Sequence, residues 1–276
     1  MFKELERIGY YNYLIQSGLH LSLNVDLKNY VEALKIENID LNSAFSVKIR
    51  KDIWQSVNPL NNIPFPIEMD DLIRLHFLAT SRKVTTILEF GIGSSTLVFD
   101  DALTQNRLKY YEFASQNIRS NNLFECHSID NNKSWIKHSK NKYELNNTFI
   151  HYSKCRMGTF NGRICTYYDD LPNICPDLIY LDGPDQHNTI GEVRGISTRS
   201  PDRLPMAADI LAIEHFLLPR TLIVVDGRAG NSRFLKSNLQ RNWIYSYIEN
   251  YDQHFFELDE KTLGRINTQK IDFMTS

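Results

Sequence analysis

The chain has little cysteine: only Cys126, Cys155, Cys165 and Cys175 in 276 residues. No two of them form a CxxC pair, and no histidine cluster flanks them at zinc spacing. That excludes a zinc-ribbon site and predicts reduced, partly buried thiols. No apolar run approaches the roughly 20 residues that cross a bilayer. A basic excess is missing too. The net charge is -2, without the positive footprint of a nucleic-acid binder. The first residues, Met1-Phe2-Lys3-Glu4-Leu5-Glu6, mix charged and apolar side chains, unlike a secretory signal. Internal repeats and low-complexity tracts are absent. The expectation is a cytoplasmic protein with neither a membrane nor a nucleic acid as partner.

What is present is an ordinary globular balance, 42% hydrophobic and 23% charged. A chain of this length can bury a core without disulfides or metals. Residues 1–60 read as a helical region. Leu27, Tyr30, Val31 and Leu34 repeat at i, i+3, i+4 and i+7, and Leu5, Ile8, Tyr11 and Ile15 suggest a second amphipathic helix. Such helices could cover an acceptor pocket or make a homo-oligomer interface. The run Asn58-Pro59-Leu60-Asn61-Asn62-Ile63-Pro64-Phe65-Pro66 breaks the pattern and marks a linker. Residues 66–276 then form the main domain.

Within that domain short apolar runs alternate with helical stretches. Met69 to Ala79 predicts a helix. Thr85–Phe90, Leu123–Ile129, Thr148–Tyr152, Asp177–Leu181 and Thr221–Val225 predict strands. Met206 to Leu218 predicts a helix through Ile210, Leu211, Ile213 and Leu217. The polar stretch Gln105 to Asn122 fits a loop or an irregular helix. Trp243–Ile248 and His254–Leu258 are too close for a helix between them and predict an antiparallel hairpin. The fold class is therefore α/β, a mostly parallel sheet finished by a C-terminal antiparallel hairpin.

The strongest chemical signal is Ile87-Leu88-Glu89-Phe90-Gly91-Ile92-Gly93-Ser94-Ser95-Thr96. A strand runs into a glycine turn and then a helix start. Gly91 and Gly93 allow a sharp turn and close approach to a ligand, and Ser94, Ser95 or Thr96 can cap the helix. Glu89 can bind a cationic or hydroxylated part of that ligand. A plain strand-to-helix turn would use the same residues.

E-x-G-x-G-S-S-T after a strand resembles the first motif of class I, S-adenosylmethionine-dependent methyltransferases. The resemblance implies a Rossmann-like, seven-stranded sheet, S-adenosyl-L-methionine as cofactor and a small-molecule acceptor, hydroxyl-bearing, anionic or saccharide. It implies a cofactor site at Glu89, Gly91, Gly93, Ser94 and Ser95. It also implies that Asp130, in Ser128-Ile129-Asp130-Asn131, binds the ribose hydroxyls. Asp130 as a helix cap remains the alternative. Asp169 or Asp170 would contact the adenine amino group, or be solvated turn carboxylates.

Asp177-Leu178-Ile179-Tyr180-Leu181-Asp182-Gly183-Pro184 is similar to the D-L-I-x-x-D-G segment of small-molecule methyltransferases. It differs from the D-P-P-Y run of base-modifying enzymes. Asp182 falls near the methyl-transfer centre, at the cofactor and as a catalytic residue. His187 in the following loop could be a general base or an ordinary surface histidine. Arg194, Arg199 and Arg203 in that loop could grip an anionic acceptor or be solvated.

In the metal-dependent branch an Asp-Asn pair after the fifth strand joins the Asp of the fourth at a divalent ion. Asp182 and Asp226 match two of those ligands, but position 227 is glycine, with Asn231 the nearest substitute. The readings left standing are an NAD-linked oxidoreductase, a non-catalytic nucleotide-binding or interaction module, and a macromolecular acceptor. Position 96 is Thr where a dinucleotide fingerprint wants a third glycine.

Overall fold

The computed structural model describes residues 69–249, 252–262 and 264–276. The helices expected in 1–60 and the linker after them lie outside the described residues. The elements run α1 (Met69–Ser81), β1 (Thr86–Phe90), α2 (Ser94–Asn117), β2 (Glu125–Asp130), α3 (Lys133–Lys142), β3 (Thr148–Tyr152), β4 (Cys155–Phe160), β5 (Arg163–Tyr168), β6 (Leu178–Leu181), α4 (Asp209–Ile213), β7 (Leu222–Asp226), α5 (Ala229–Asn238), β8 (Trp243–Ile248), β9 (Gln253–Leu258) and α6 (Arg265–Thr275).

Seven strands form one sheet in the order β3-β2-β1-β6-β7-β9-β8. β3, β2, β1, β6 and β7 are parallel, and β9 runs antiparallel to both β7 and β8. Every residue of β1 and β6 is buried, as expected for central parallel strands covered on both faces. On one face Ile87, Cys126, Leu178, Leu222 and Val224 pack with Leu75, Leu78, Val98, Phe99 and Leu103 of α1 and α2. On the other, Leu88, Phe90, Ile129, Ile179, Leu181 and Ile223 pack with Cys155, Cys165, Tyr168, Ile210 and Leu235. The α/β class and the closing antiparallel pair agree with the sequence reading. Cys126, Cys155 and Cys165 are buried free thiols, and Cys175 is half-buried and free.

Two expectations are corrected, and one element is new. Residues 105–117 are not irregular but continue α2. Its first half is buried through Leu97, Val98, Phe99, Ala102 and Leu103, while Leu108 and Tyr111 in the second half are exposed. Polar Asn106 lies inside and donates to the carbonyls of Ala79 (3.0 Å) and Val84 (2.9 Å). A helix so anchored does not need an apolar stripe along its whole length.

The helix expected over Met206 to Leu218 shrinks to Asp209–Ile213 and a single 3-10 turn, Glu214–Phe216. Residues 206–208 pair with β5 instead: Thr166 donates to the Met206 carbonyl and Ala208 donates to that of Thr166, each at 3.0 Å. At the far end the Glu214 carboxylate accepts the amides of Gln240 and Arg241, both at 2.9 Å.

The new element is the β4–β5 hairpin, a second sheet absent from the sequence reading. Phe160 faces Arg163 across Asn161-Gly162, both at positive φ (49° and 76°). Asn-Gly in that conformation is the favoured two-residue hairpin turn.

Candidate functional site

The carboxyl ends of β2, β1, β6 and β7 lie side by side. Glu89 is in register with Ser128 on one side and Tyr180 on the other. Past the ladders, Gly91 N–H donates to Ile129 O and Asp182 N–H to Phe90 O, both at 2.9 Å. Parallel pairing in this register puts Glu89, Asp130, Asp182 and Asp226 at a single edge of one sheet. This is the edge where open α/β sheets take ligands.

Glu89 lies beneath the turn, fully buried. Ser95 donates to one carboxylate oxygen at 2.6 Å; Thr96 at 2.7 Å and Ser128 share the other. Burial pushes its pKa up to about 7, with the nearby Asp182 charge adding to the shift and the three hydroxyls opposing it. Glu89 and Ser95 thus hold the turn from below rather than lining its open side. Ser94 is half-buried and shares a hydrogen bond with Tyr143 OH at 3.2 Å.

Gly91 and Gly93 have different duties. Gly91 sits at φ +95°, and a Cβ there would come within 2.9 Å of Gly183 N and 3.0 Å of Asp182 C. The close approach that demands glycine is to the neighbouring loop of the protein. Gly93 is extended at φ -164°, and its Cβ would meet only Ser95 Oγ at 3.8 Å. Nothing within the described protein requires glycine at 93, and a Cβ there would be uncrowded.

Asp130 ends β2 almost fully buried. Its carboxylate accepts from Ile92 N at 3.1 Å and Asn132 N at 2.7 Å, and burial raises its pKa to about 6 despite those amides. The helix cap is Asn132, not Asp130: its side chain accepts from the amides of Ser134 and Trp135, both at 3.1 Å. A carboxylate has about four acceptor positions, so backbone amides do not exhaust Asp130 and it can still take a diol.

Asp182 has a side chain 54% exposed. Arg228 bridges back to it from the end of β7, at 3.5 Å from Oδ1, and also donates to the carbonyls of Asp182 and Pro184. The only sequence signal for Arg228 is its place directly after Asp226-Gly227. His187 lies exposed in the single 3-10 turn Gln186–Asn188, which Asp185 caps by accepting the His187 amide at 2.7 Å. Asp169 follows β5 in the second sheet, ion-paired with Arg156 at 2.6 Å, and that guanidinium holds its carboxyl below the usual range. It makes none of the hydrogen bonds that bind Asp130 to the turn. The loop with Arg194, Arg199 and Arg203, all exposed, leans on the hairpin: Ile190 pairs with Cys155 and Met157 of β4.

The residues do not fit a metal. Asp226 accepts from Tyr180 OH (2.9 Å) and Gln253 Nε2 (3.0 Å), and Gln253 in turn accepts from buried Arg74 at 2.6 Å. Asn231 is spent on Ala207, whose amide it accepts at 2.9 Å. No group of three or more His, Cys, Asp or Glu among the described residues is arranged to hold an ion. Also among the described residues, no helix is long and apolar enough to cross a membrane.

No protein-family model matches the chain, and no curated protein matches it in sequence. Solved structures do resemble it. The O-methyltransferase TomG from Streptomyces achromogenes, in complex with SAM, is 14% identical with a TM-score of 0.39, over 79% of this chain and 89% of its own. CalS11, a TDP-rhamnose 3'-O-methyltransferase, is 13% identical with a TM-score of 0.39, over 79% and 95%. The Podospora anserina methyltransferase PaMTH1, bound to SAH, is 13% identical with a TM-score of 0.36, over 86% and 97%.

Proposed function

We propose that the chain is an S-adenosylmethionine-dependent methyltransferase acting on a small-molecule acceptor that presents a hydroxyl group. The observation that carries this reading is the convergence of the Gly91–Gly93 turn, Asp130 and Asp182 on three adjacent parallel strands. A turn with open space over Gly93 can receive the amino-acid end of the cofactor. Asp130, one strand over, retains acceptor capacity for a ribose diol. Asp182, on the other side, stands half in solvent, where an acceptor would arrive.

The cofactor supplies a methyl group on a positively charged sulfonium. The protein aligns acceptor oxygen, methyl carbon and sulfur, a positioning task. Asp182 takes the hydroxyl proton, and Arg228 holds the loop that carries Asp182. His187, in the exposed turn that follows Gly183-Pro184, is the second candidate for that base. No step runs through a metal. Thr96 supports the cofactor over a dinucleotide. Its hydroxyl donates to Glu89 and accepts from Gly93 N at 3.1 Å, filling the space that a third glycine would leave empty.

Titration calorimetry with S-adenosylmethionine, S-adenosylhomocysteine and NAD tests the reading. Binding of the first two without NAD supports it; NAD binding alone overturns it. Asp182→Ala should abolish transfer, by at least about a hundredfold as for a lost general base, with cofactor binding retained. Full activity in that variant removes Asp182 from the reaction.

A further inference from the structure

Ile92, between the two glycines, has both of its backbone polar groups clamped. Its N–H is held by Asp130 Oδ2 at 3.1 Å, and its carbonyl accepts from the Trp135 indole Nε1. Both partners come from one short stretch. Asp130 ends β2, Asn132 caps α3 through the amides of Ser134 and Trp135, and Trp135 lies in the first turn of that helix. The indole ring is stacked on His138, with centroids 5.1 Å apart and planes at 15°. An indole nitrogen can only donate, so the turn takes up the whole hydrogen-bonding capacity of the Trp135 side chain.

We propose that Trp135 is a positioning residue for the nucleoside cofactor, holding the Gly91–Gly93 turn in its binding shape through the Ile92 carbonyl. This rests on the cofactor site proposed above. Asp130 and Trp135 make one pincer on a single residue, so the ribose-binding carboxylate and the glycine turn are set in place together. Phenylalanine at 135 would keep much of the ring packing and lose the donor. The turn would then be held on its N–H side alone.

The test uses the full chain and S-adenosylhomocysteine as probe. W135F should bind it about five- to tenfold more weakly, the size of one lost hydrogen bond. W135H, which restores a ring N–H, should recover part of the affinity. Tryptophan emission should change when wild type is titrated, and that change should vanish in W135F, where Trp54 and Trp243 remain. A packing role alone would lower the melting temperature and leave the dissociation constant of the folded protein unchanged. W135F binding as tightly as wild type overturns the role of Trp135 but not the cofactor site. Wild type failing to bind the probe overturns both.

Discussion

Two strand-to-helix turns share a grammar and differ in use. β1 passes through Glu89-Phe90-Gly91 into α2, and β7 through Asp226-Gly227-Arg228 into α5. Each pairs a carboxylate with a glycine at positive φ. At the first, the carboxylate is fully buried under three hydroxyls and the glycine touches the backbone of a neighbouring loop. At the second, the carboxylate is half-buried on Tyr180 and Gln253, and a Cβ at Gly227 would meet only Asp252 Oδ2 at 3.8 Å. A strand-end acid with a glycine one or two residues later is thus a local instruction. What surrounds the turn decides whether it is a tight cradle or an open corner.

The comparison breaks first at the glycines. Gly91→Ala meets backbone atoms that cannot yield and adopts an unfavourable φ, so it should cost roughly 3–5 kcal/mol. Gly227→Ala should cost only about 1 kcal/mol, the left-handed penalty alone. Thermal or denaturant unfolding of the two variants measures the gap, and equal losses would erase the distinction.

The buried carboxylate offers the next test. Burial lifts the Glu89 pKa in the folded protein to about 7, from an ordinary 4.5. Its protonated form is favoured by folding, so the associated stability is present below pH 4.5 and lost as pH rises through about 7. A shift of that size amounts to roughly 3 kcal/mol. Glu89→Gln, neutral at every pH, should therefore be more stable than wild type at about pH 8 and lose that advantage toward about pH 5. Wild type and variant whose stabilities run in parallel across that range would show that the site is not titrating.

The smallest structural effect is expected at Gly93. Gly93→Ala should leave the unfolding free energy within about 0.5 kcal/mol, as for an uncrowded surface change. Its effect should fall on S-adenosylhomocysteine affinity instead. A stability loss without an affinity loss would mean that the space over Gly93 is not used by a ligand.

The central strands were legible because a parallel strand buried on both faces is mostly apolar: Leu178–Leu181 is an unbroken apolar run, and Thr86–Phe90 is apolar at Ile87, Leu88 and Phe90. The glycine turn was legible because its residue types are locally demanded. The β4–β5 hairpin was not, although Asn161-Gly162 signalled it, because its strands are half-exposed and carry Arg156, Thr159 and Arg163 among their apolar residues. The capping of α3 by Asn132 in place of Asp130 could not be read either, since Asn and Asp cap helices about equally well and the sequence does not mark the residue at which the helix starts.

By itself the sequence determined the alternation of strands and helices, the strand-end carboxylates and the glycines of the first turn, because periodicity and backbone freedom are properties of neighbouring residues. Only the tertiary structure decided which carboxylates turn inward to partners and which stands toward solvent. Glu89 turned inward to Ser95, Thr96 and Ser128, Asp226 was taken up by Tyr180 and Gln253, and Asp182 was left half in solvent beside Arg228. The reason is physical: hydrogen-bond partners far apart in the chain compete for the same oxygens, and their arrival at one edge depends on how the whole sheet is assembled.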